Sequence, residues 1–330
     1  MNEKQIGVTG IGNAIIDIIA AVDDEFLGEF NLKKGSMKLI CEQEASALQS
    51  RINVRKIISG GSIANTIAGL AILGNRVAFI GKVKNDELGV VFEEELKKLG
   101  IIYKTKKAAG KHPPTACCIV LTTPDAQRTM NTFLGVAGLL FPDDINTEMI
   151  AQSEIVYIEG YLFYQDQSKK AVEKAVSAGR LKKSKIALSL SDVFCVENNR
   201  SQFHEMIDGG VDIIFANESE IISLFETENI RQAIQCCKTL GNVVAVTRGE
   251  NGSVVISDGK VQEIEAEKVI TLDSTGAGDM YAAGFLNGFL KGKDAYTCGR
   301  MGSILAAHVV SQYGARYERP LLEILAEKGL

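Results

Sequence analysis

Short apolar runs with no polar alternation recur along the chain: Ile6 to Ile11, Val77 to Gly81, Ile155 to Ile158, Ile186 to Leu190, Ile213 to Ala216 and Val243 to Thr247. A strand patterned in this way is covered on both faces, which implies a mainly parallel sheet with helices packed above and below it. The segments between the runs agree. Leu88 to Leu99 is amphipathic, with its Glu and Lys residues outward, and helical spacing returns at Gln167 to Ala178, Arg200 to Asp208, Glu218 to Phe225 and Ile230 to Leu240. Ile63 to Leu73 is small and apolar all round, the pattern of a helix buried inside the fold. The expectation is an α/β architecture of three layers, α/β/α, around a mainly parallel central sheet.

Two stretches break this rhythm. Ile15 to Val22 reads as a strand with Asp17 as its lone charge, followed by turn-rich Asn31 to Gly35 and a short strand at Met37 to Cys41. Later, Ala116 to Thr123 and Arg128 to Leu134 flank a Pro-Asp turn and read as a hairpin. We expect these pieces to leave the main body together as a small β-sheet lid. The domains are then 1–12, 48–103 and 137–330 for the large body, and 13–47 and 104–136 for the lid. A length of 330 residues suits one large domain with an appendage.

Charge and cysteine usage exclude several function classes. The net charge is −5, and the densest basic cluster is Leu181 to Lys185. Nucleic acid is therefore not an expected partner, because phosphate-backbone binding needs a concentrated positive face. The seven cysteines lack Cys-x-x-Cys spacing, which argues for reduced thiols and against a zinc site or a disulfide framework. No leader or apolar span is visible, so we expect a cytoplasmic protein without membrane contact.

The most informative motif is Asp273-Ser-Thr-Gly-Ala-Gly-Asp279, which opens onto a small, apolar helix. The free amides of Gly276, Ala277 and Gly278 at a helix start would form an anion hole at the positive end of the helix dipole. An acid there would repel phosphate, unless Asp279 takes a proton from an attacking hydroxyl while the amides hold the phosphoryl group in transit. A helix cap is the competing role for Asp279. Gly60-Gly61-Ser62-Ile63-Ala64-Asn65 is a second candidate: the glycines let a ligand approach the backbone, and the Asn65 amide suits a diol. Helix–helix close packing competes there. Asn13 and Asp17 form a third candidate. A carboxylate in an apolar run needs a partner, either ligand hydroxyls or a structural arginine. Tyr157, Tyr161, Phe163 and Tyr164 follow a strand and read as cleft wall or core.

In order along the chain, Gly60-Gly61 with Asn65, Gly81-x-x-x-x-Asp86-x-x-Gly89, Asn217-x-x-Glu220, Thr247-Arg248-Gly249-x-x-Gly252 and the run from Asp273 to Asp279 resemble the phosphofructokinase-B, or ribokinase-like, family. Its adenosine kinase branch is the nearest in pattern. The resemblance implies an ATP-dependent kinase of a sugar or nucleoside hydroxyl, with Asp279 as general base and Gly276, Ala277 and Gly278 as anion hole. It assigns Asn217, Glu220, Thr247, Gly249 and Thr275 to the nucleotide, with Glu220 organising Mg2+ through water. Asp273, Thr275 and Gly314 match a loop that holds a monovalent cation, K+, although Glu318 stands where a small hydroxylated residue is common. Asn13, Asp17, Gly61, Ser62 and Asn65 match substrate positions, Phe133 a base-stacking residue, and Arg128 a lid residue that clamps phosphate. The family contains monomers and homodimers alike.

Rival signatures fail on inspection. Gly10-Ile11-Gly12 lacks the third glycine of a dinucleotide fingerprint, since Ile15 stands there, and no Gly-Lys pair is followed by Ser or Thr as a P-loop requires. Ribokinase-, fructokinase- and ketodeoxygluconate-type sugar kinases remain alternatives to adenosine kinase. A binding protein that kept the fold without catalysis is a further alternative.

Overall fold

The structure is a computed structural model that describes residues 4–125, 127–312, 314–316 and 320–330. In chain order the strands are β1 (Ile6–Ile11), β2 (Ile15–Ala21), β3 (Met37–Leu39), β4 (Val54–Gly60), β5 (Val77–Ile80), β6 (Ile102–Tyr103) and β7 (Ala116–Thr122). There follow β8 (Arg128–Phe133), β9 (Ser153–Glu159), β10 (Lys185–Ser189), β11 (Ile213–Asn217), β12 (Val243–Thr247), β13 (Ser253–Ser257) and β14 (Lys260–Ile264). The helices are α1 (Asp24–Glu29), α2 (Glu42–Arg51), α3 (Ser62–Ile72), α4 (Glu87–Lys98), α5 (Thr147–Ala151) and α6 (Asp166–Leu181). They continue with α7 (Val193–Asp208), α8 (Glu218–Phe225), α9 (Ile230–Cys237), α10 (Ala277–Leu290), α11 (Ala295–Val310) and α12 (Leu321–Glu327).

Among the described residues the main sheet has nine strands in the order β14-β13-β12-β11-β10-β9-β1-β5-β6. It is parallel from β12 to β6 and antiparallel only at β13 and β14. Its apolar runs feed two cores. Val8, Phe79, Tyr157 and Phe215 pack with Ile63 and Ile67 of α3 and Phe285 of α10 on one face. Ile158, Ile186 and Ile214 pack with Val172, Val196 and Ile221 of the α6, α7 and α8 layer on the other. The three-layer expectation holds, and the crossovers bring the C-terminal ends of the parallel strands to one edge, where such sheets bind ligands.

The second sheet has five strands in the order β3-β8-β7-β2-β4. One face buries Ala20, Ile119 and Leu121 under Leu27 of α1 and Ala45 and Leu48 of α2. One expectation is corrected here, and two further differences appear. Segment 54–60, assigned above to the large body, is β4, an edge strand of the lid. The polar run Val54-Arg55-Lys56 looked unlike a strand because an edge strand tolerates charge along its open side. The stretch before Asn31 also folds: α1 starts at an Asp23 cap whose side chain accepts from the Phe26 amide at 2.8 Å. A third difference concerns α7, which begins at Val193 rather than near Arg200, with a kink at Asn199. Among the described residues no helix is long and apolar enough to cross a membrane, and all seven cysteines are free.

Candidate active site

Two cavities meet at Asp279. The larger, about 720 Å³, lies between the lid and the main body and is lined by Asn13, Asp17, Asn65, Arg128, Tyr164 and Asp279 among others. The smaller, about 410 Å³, lies over the strand ends and is lined by Asn217, Glu220, Thr247, Gly276, Gly278 and Asp279. Asp279 and Ser62 belong to both walls.

Asp279 stands in the first turn of α10. The residue before that helix, Gly276, has φ 79°, and a Cβ on it would lie 2.7 Å from the Ala315 Cα. Only glycine makes this turn, because a left-handed backbone and the contact with Ala315 both exclude a side chain. No side chain caps the helix; the Ala277 amide closes a turn onto the Ser274 carbonyl at 3.3 Å, and Gly276 and Gly278 line the smaller cavity. The Asp279 carboxylate does not cap it either. Oδ1 accepts from the Ser62 hydroxyl at 2.7 Å and Oδ2 from the Asn65 side-chain amide at 3.0 Å. Both donors come from α3, so the carboxylate is aimed across the junction of the cavities. Burial pushes its pKa up to about 6, against the pull of these two hydrogen bonds and of the Arg316 guanidinium. A carboxylate poised just below neutrality is ionised at pH 7 and basic enough to take a proton.

On the wall of the smaller cavity, Asn217 and Glu220 form a reciprocal cap at the start of α8. The Asn217 side chain accepts from the Glu220 amide at 2.9 Å, and Glu220 accepts from the Asn217 amide at 3.0 Å and from its side chain at 2.6 Å. Burial raises the Glu220 carboxyl to about 7. Both of its oxygens are taken by Asn217, and this fits a magnesium ion held through water rather than by direct ligation. Among the described residues no cluster of His, Cys, Asp and Glu offers a direct metal site. Thr247 lines this cavity, whereas Gly249 lies in the turn beyond it and lines neither one. Asp86, from the Gly81 to Gly89 motif, has a structural role: it accepts from the Gly89 amide at 2.9 Å, the Thr115 amide at 2.9 Å and the Thr115 hydroxyl at 2.6 Å. It therefore anchors the chain where it re-enters the lid.

In the larger cavity, strand parity decides which residues face the open space. In β2, Ile15, Asp17 and Ile19 line the cavity while Ile16, Ile18 and Ala20 are buried in packing. In β8, Arg128, Met130 and Thr132 line it. Phe133 therefore points to the other face, packed near Leu48 and Ile119, and the expectation that it stacks on a base is wrong. The aromatic wall comes from the main body instead. Tyr161 stacks on Tyr164, with centroids 6.4 Å apart, and Tyr164 meets Phe194 at 6.1 Å, all three lining the cavity. Phe163 belongs to the core.

Asp17 is recessed beside the Gly60 backbone, where a Cβ would stand 2.5 Å from its Oδ2. Burial raises its pKa to about 6, partly offset by Arg316 and Arg128. Asn13, Ser62 and Asn65 line the cavity as expected, but each already binds a protein group. Asn13 donates from its side chain to Glu159 at 2.8 Å. Gly61 is fixed by close approach, since a Cβ there would fall 2.4 Å from the Asn13 carbonyl oxygen. Glu159 is a residue the motif analysis missed. It also accepts from the amides of Asn13 and Ile63, each at 3.2 Å, and burial raises it to about 7. Its position just past an apolar parallel strand was the available signal.

The expected cation loop is built differently. Asp273 Oδ1 accepts from the Thr275 amide at 3.0 Å and Oδ2 from the Gly314 amide at 2.7 Å. The Arg128 guanidinium donates to Oδ2 as well, and to the Thr275 hydroxyl at 2.7 Å. Although burial alone would raise it, these contacts hold the Asp273 carboxyl below its ordinary value. A guanidinium already neutralises this donor set, which does not fit an added monovalent cation. The same pairing corrects the expectation for Arg128: its charge is committed to Asp273, not free to clamp phosphate. Glu318 lies outside the described residues.

Strand ends, an uncapped helix start and a carboxylate between two cavities define the class, a kinase of a carbohydrate or nucleoside hydroxyl. The pfkB family carbohydrate kinase model matches residues 12–321, and the chain belongs to that family. It is similar to the solved adenosine kinase of Sinorhizobium meliloti, at 40% identity and a TM-score of 0.92 over 99% of this chain and 100% of that one. The adenosine kinase of Saccharomyces cerevisiae is 27% identical over 334 residues, covering 93% of this chain and 95% of its own. The 5-dehydro-2-deoxygluconokinase of Clostridium perfringens is 29% identical over 284 residues, covering 81% of this chain and 82% of its own. Relatives of both kinds leave the acceptor between nucleoside and sugar.

Proposed function

We propose that the chain transfers the γ-phosphoryl group of ATP to the 5′ hydroxyl of adenosine, giving AMP and ADP. The observation that carries this reading is the character of the acceptor cavity. Away from Asn13, Asp17, Arg128 and the polar groups around Asp279, its wall includes Ile15, Ile19, Ile58, Val120, Met130 and Leu134, with Tyr161, Tyr164 and Phe194. A bare pentose or hexose acid would leave that apolar wall against water, whereas a purine covers it. The seven free thiols support a reducing, cytoplasmic setting.

In this reading the nucleoside lies with its ribose diol on Asp17 and its base between the lid and the aromatic wall. Its 5′ hydroxyl reaches Asp279, which takes the proton as the phosphoryl group arrives over the amides at the start of α10. Glu220 would hold, through water, a magnesium ion brought with the nucleotide, and that ion would supply neutralisation of phosphate charge. Closure of the lid sheet over the cavity keeps water from the phosphoryl group.

The test is ADP release with adenosine, inosine, ribose, fructose and 5-dehydro-2-deoxygluconate offered separately. Stacking of a base on aromatic side chains contributes about 1–3 kcal/mol, so adenosine should exceed ribose in kcat/KM by roughly 10- to 100-fold. Equal or better turnover of a free sugar would refute the adenosine assignment. A second expectation follows from Arg128. With Mg2+ present, replacing K+ by tetramethylammonium at constant ionic strength should leave kcat unchanged, and a large loss would show that a cation displaces the guanidinium.

A further inference from the structure

We infer that Arg316, which lies in none of the motifs, is a positioning residue: it fixes the Asn65 amide against Asp279 and joins that carboxylate to the lid strand β4. The inference rests on the reading of Asp279 as general base.

Arg316 lies just beyond Ala315, the residue packed on Gly276. Its Nε donates to Asn65 Oδ1 at 3.1 Å. Its Nη1 donates to the Ser59 hydroxyl and faces Glu95 Oε2 at 3.5 Å. Ser59 in turn donates to the same Glu95 oxygen through its amide at 2.8 Å and through its hydroxyl. Nη2 is buried without a partner among the described residues, so the other two nitrogens hold the guanidinium in place. Only 14% of the side chain is exposed.

The consequence for Asn65 is geometric. A side-chain amide has one accepting and one donating end. With Oδ1 held against a permanent cation, Nδ2 must face Asp279 Oδ2, where it donates at 3.0 Å. Ser62 pins the other carboxylate oxygen at 2.7 Å. The carboxylate is thus held in one plane, with its remaining lone pairs turned to the cavity where the acceptor hydroxyl arrives. Ser59 lies on β4, one residue before the Gly60-Gly61 turn into α3. Lid strand, α3 and the loop behind the anion hole are therefore joined through one guanidinium.

The charges facing Asp279 give the test its sign. They are Arg316 from the C-terminal loop, Asp17 from β2, and Glu159 and Tyr157 from β9, while Arg128 acts on Asp17. Among the described residues Arg316 is the cation acting on the base, and Glu95 is its counter-charge. Arg316→Met removes the cation, whereas Glu95→Gln leaves it less compensated, so the two variants should move the base in opposite directions.

The experiment is the pH dependence of kcat at saturating adenosine, where bound substrate covers Asp17. Arg316→Met should shift the acid limb up by about one pH unit and lower kcat by roughly tenfold to a hundredfold, with KM changed less. Arg316→Lys, which keeps the charge but not the fork, should restore the limb and only part of kcat. Glu95→Gln should shift the limb down. If Arg316→Met does not fold, the Glu95→Gln shift alone decides. An unmoved limb in the folded variants, with loss confined to thermal stability, overturns the inference. Full turnover in Asp279→Asn would instead remove the base reading on which it rests.

Discussion

Asp279→Asn should lower kcat by about 10²- to 10⁴-fold while leaving the affinities for adenosine and ATP close to those of the parent protein. The change is isosteric, and an asparagine still accepts one of the two α3 hydrogen bonds, from Ser62 or Asn65. The cavity walls, the anion hole and the ribose contacts are untouched, so what disappears is the capacity to take a proton. Steady-state ADP release measures the loss, and equilibrium titration with each ligand measures what is kept. A binding protein that retained the fold would show no change in either. Because the Asp279 pKa is held near 6, the parent protein should lose kcat as pH falls through that value, and the variant's residual rate should not follow that limb.

Asp17→Asn should act on the other side of the ledger, weakening adenosine on the order of a hundredfold with a smaller effect on kcat. Among the described residues no hydrogen bond to the Asp17 carboxylate is present, although Arg316 and Arg128 act on it through space. Gly60, diagonally across the strand pair, makes the space the carboxylate occupies, since a Cβ there would lie 2.5 Å from its Oδ2. A recessed carboxylate with open lone pairs on a cavity wall is suited to accept from two neighbouring hydroxyls at once, and charge-assisted bonds are the stronger kind. Asparagine keeps the shape and loses the charge and one acceptor. Adenosine titration of the variant tests this. An unchanged affinity would mean that the ribose lies elsewhere, and 2′-deoxyadenosine should lose less in the variant than in the parent.

Much of the architecture was legible because it is written in local pattern. Buried parallel strands announce themselves as unbroken apolar runs, and the hairpin of β7 and β8 by its turn. The start of α10 was legible for a different reason: the Gly276 conformation and the helix start without a side-chain cap leave few residue types possible, so the chemistry appears in the sequence as a contiguous run. The misreadings share a cause, which is that they depend on contacts distant in sequence. β4 looked like a polar connector because its charges are tolerated only at a sheet edge that must first exist. The resemblance assigned Phe133 to a base, but strand parity puts Arg128 on the cavity face and so turns Phe133 away. Arg128 and Asp273, 145 residues apart in sequence, meet only once the lid is laid on the body. Glu159 and Arg316 have no repeating environment to mark them. They became visible when α3 brought Asn65 beside Asp279, and β1 brought Asn13 beside the end of β9.

The proton transfer at the junction of the two cavities is tested most directly by a crystal structure with adenosine and a non-hydrolysable ATP analogue bound together. The ribose 5′ oxygen should lie within about 2.6–3.2 Å of an Asp279 carboxylate oxygen and in line with the γ-phosphorus. A 5′ oxygen beyond hydrogen-bond reach, with Asp279 still occupied by Ser62 and Asn65 alone, would contradict the account.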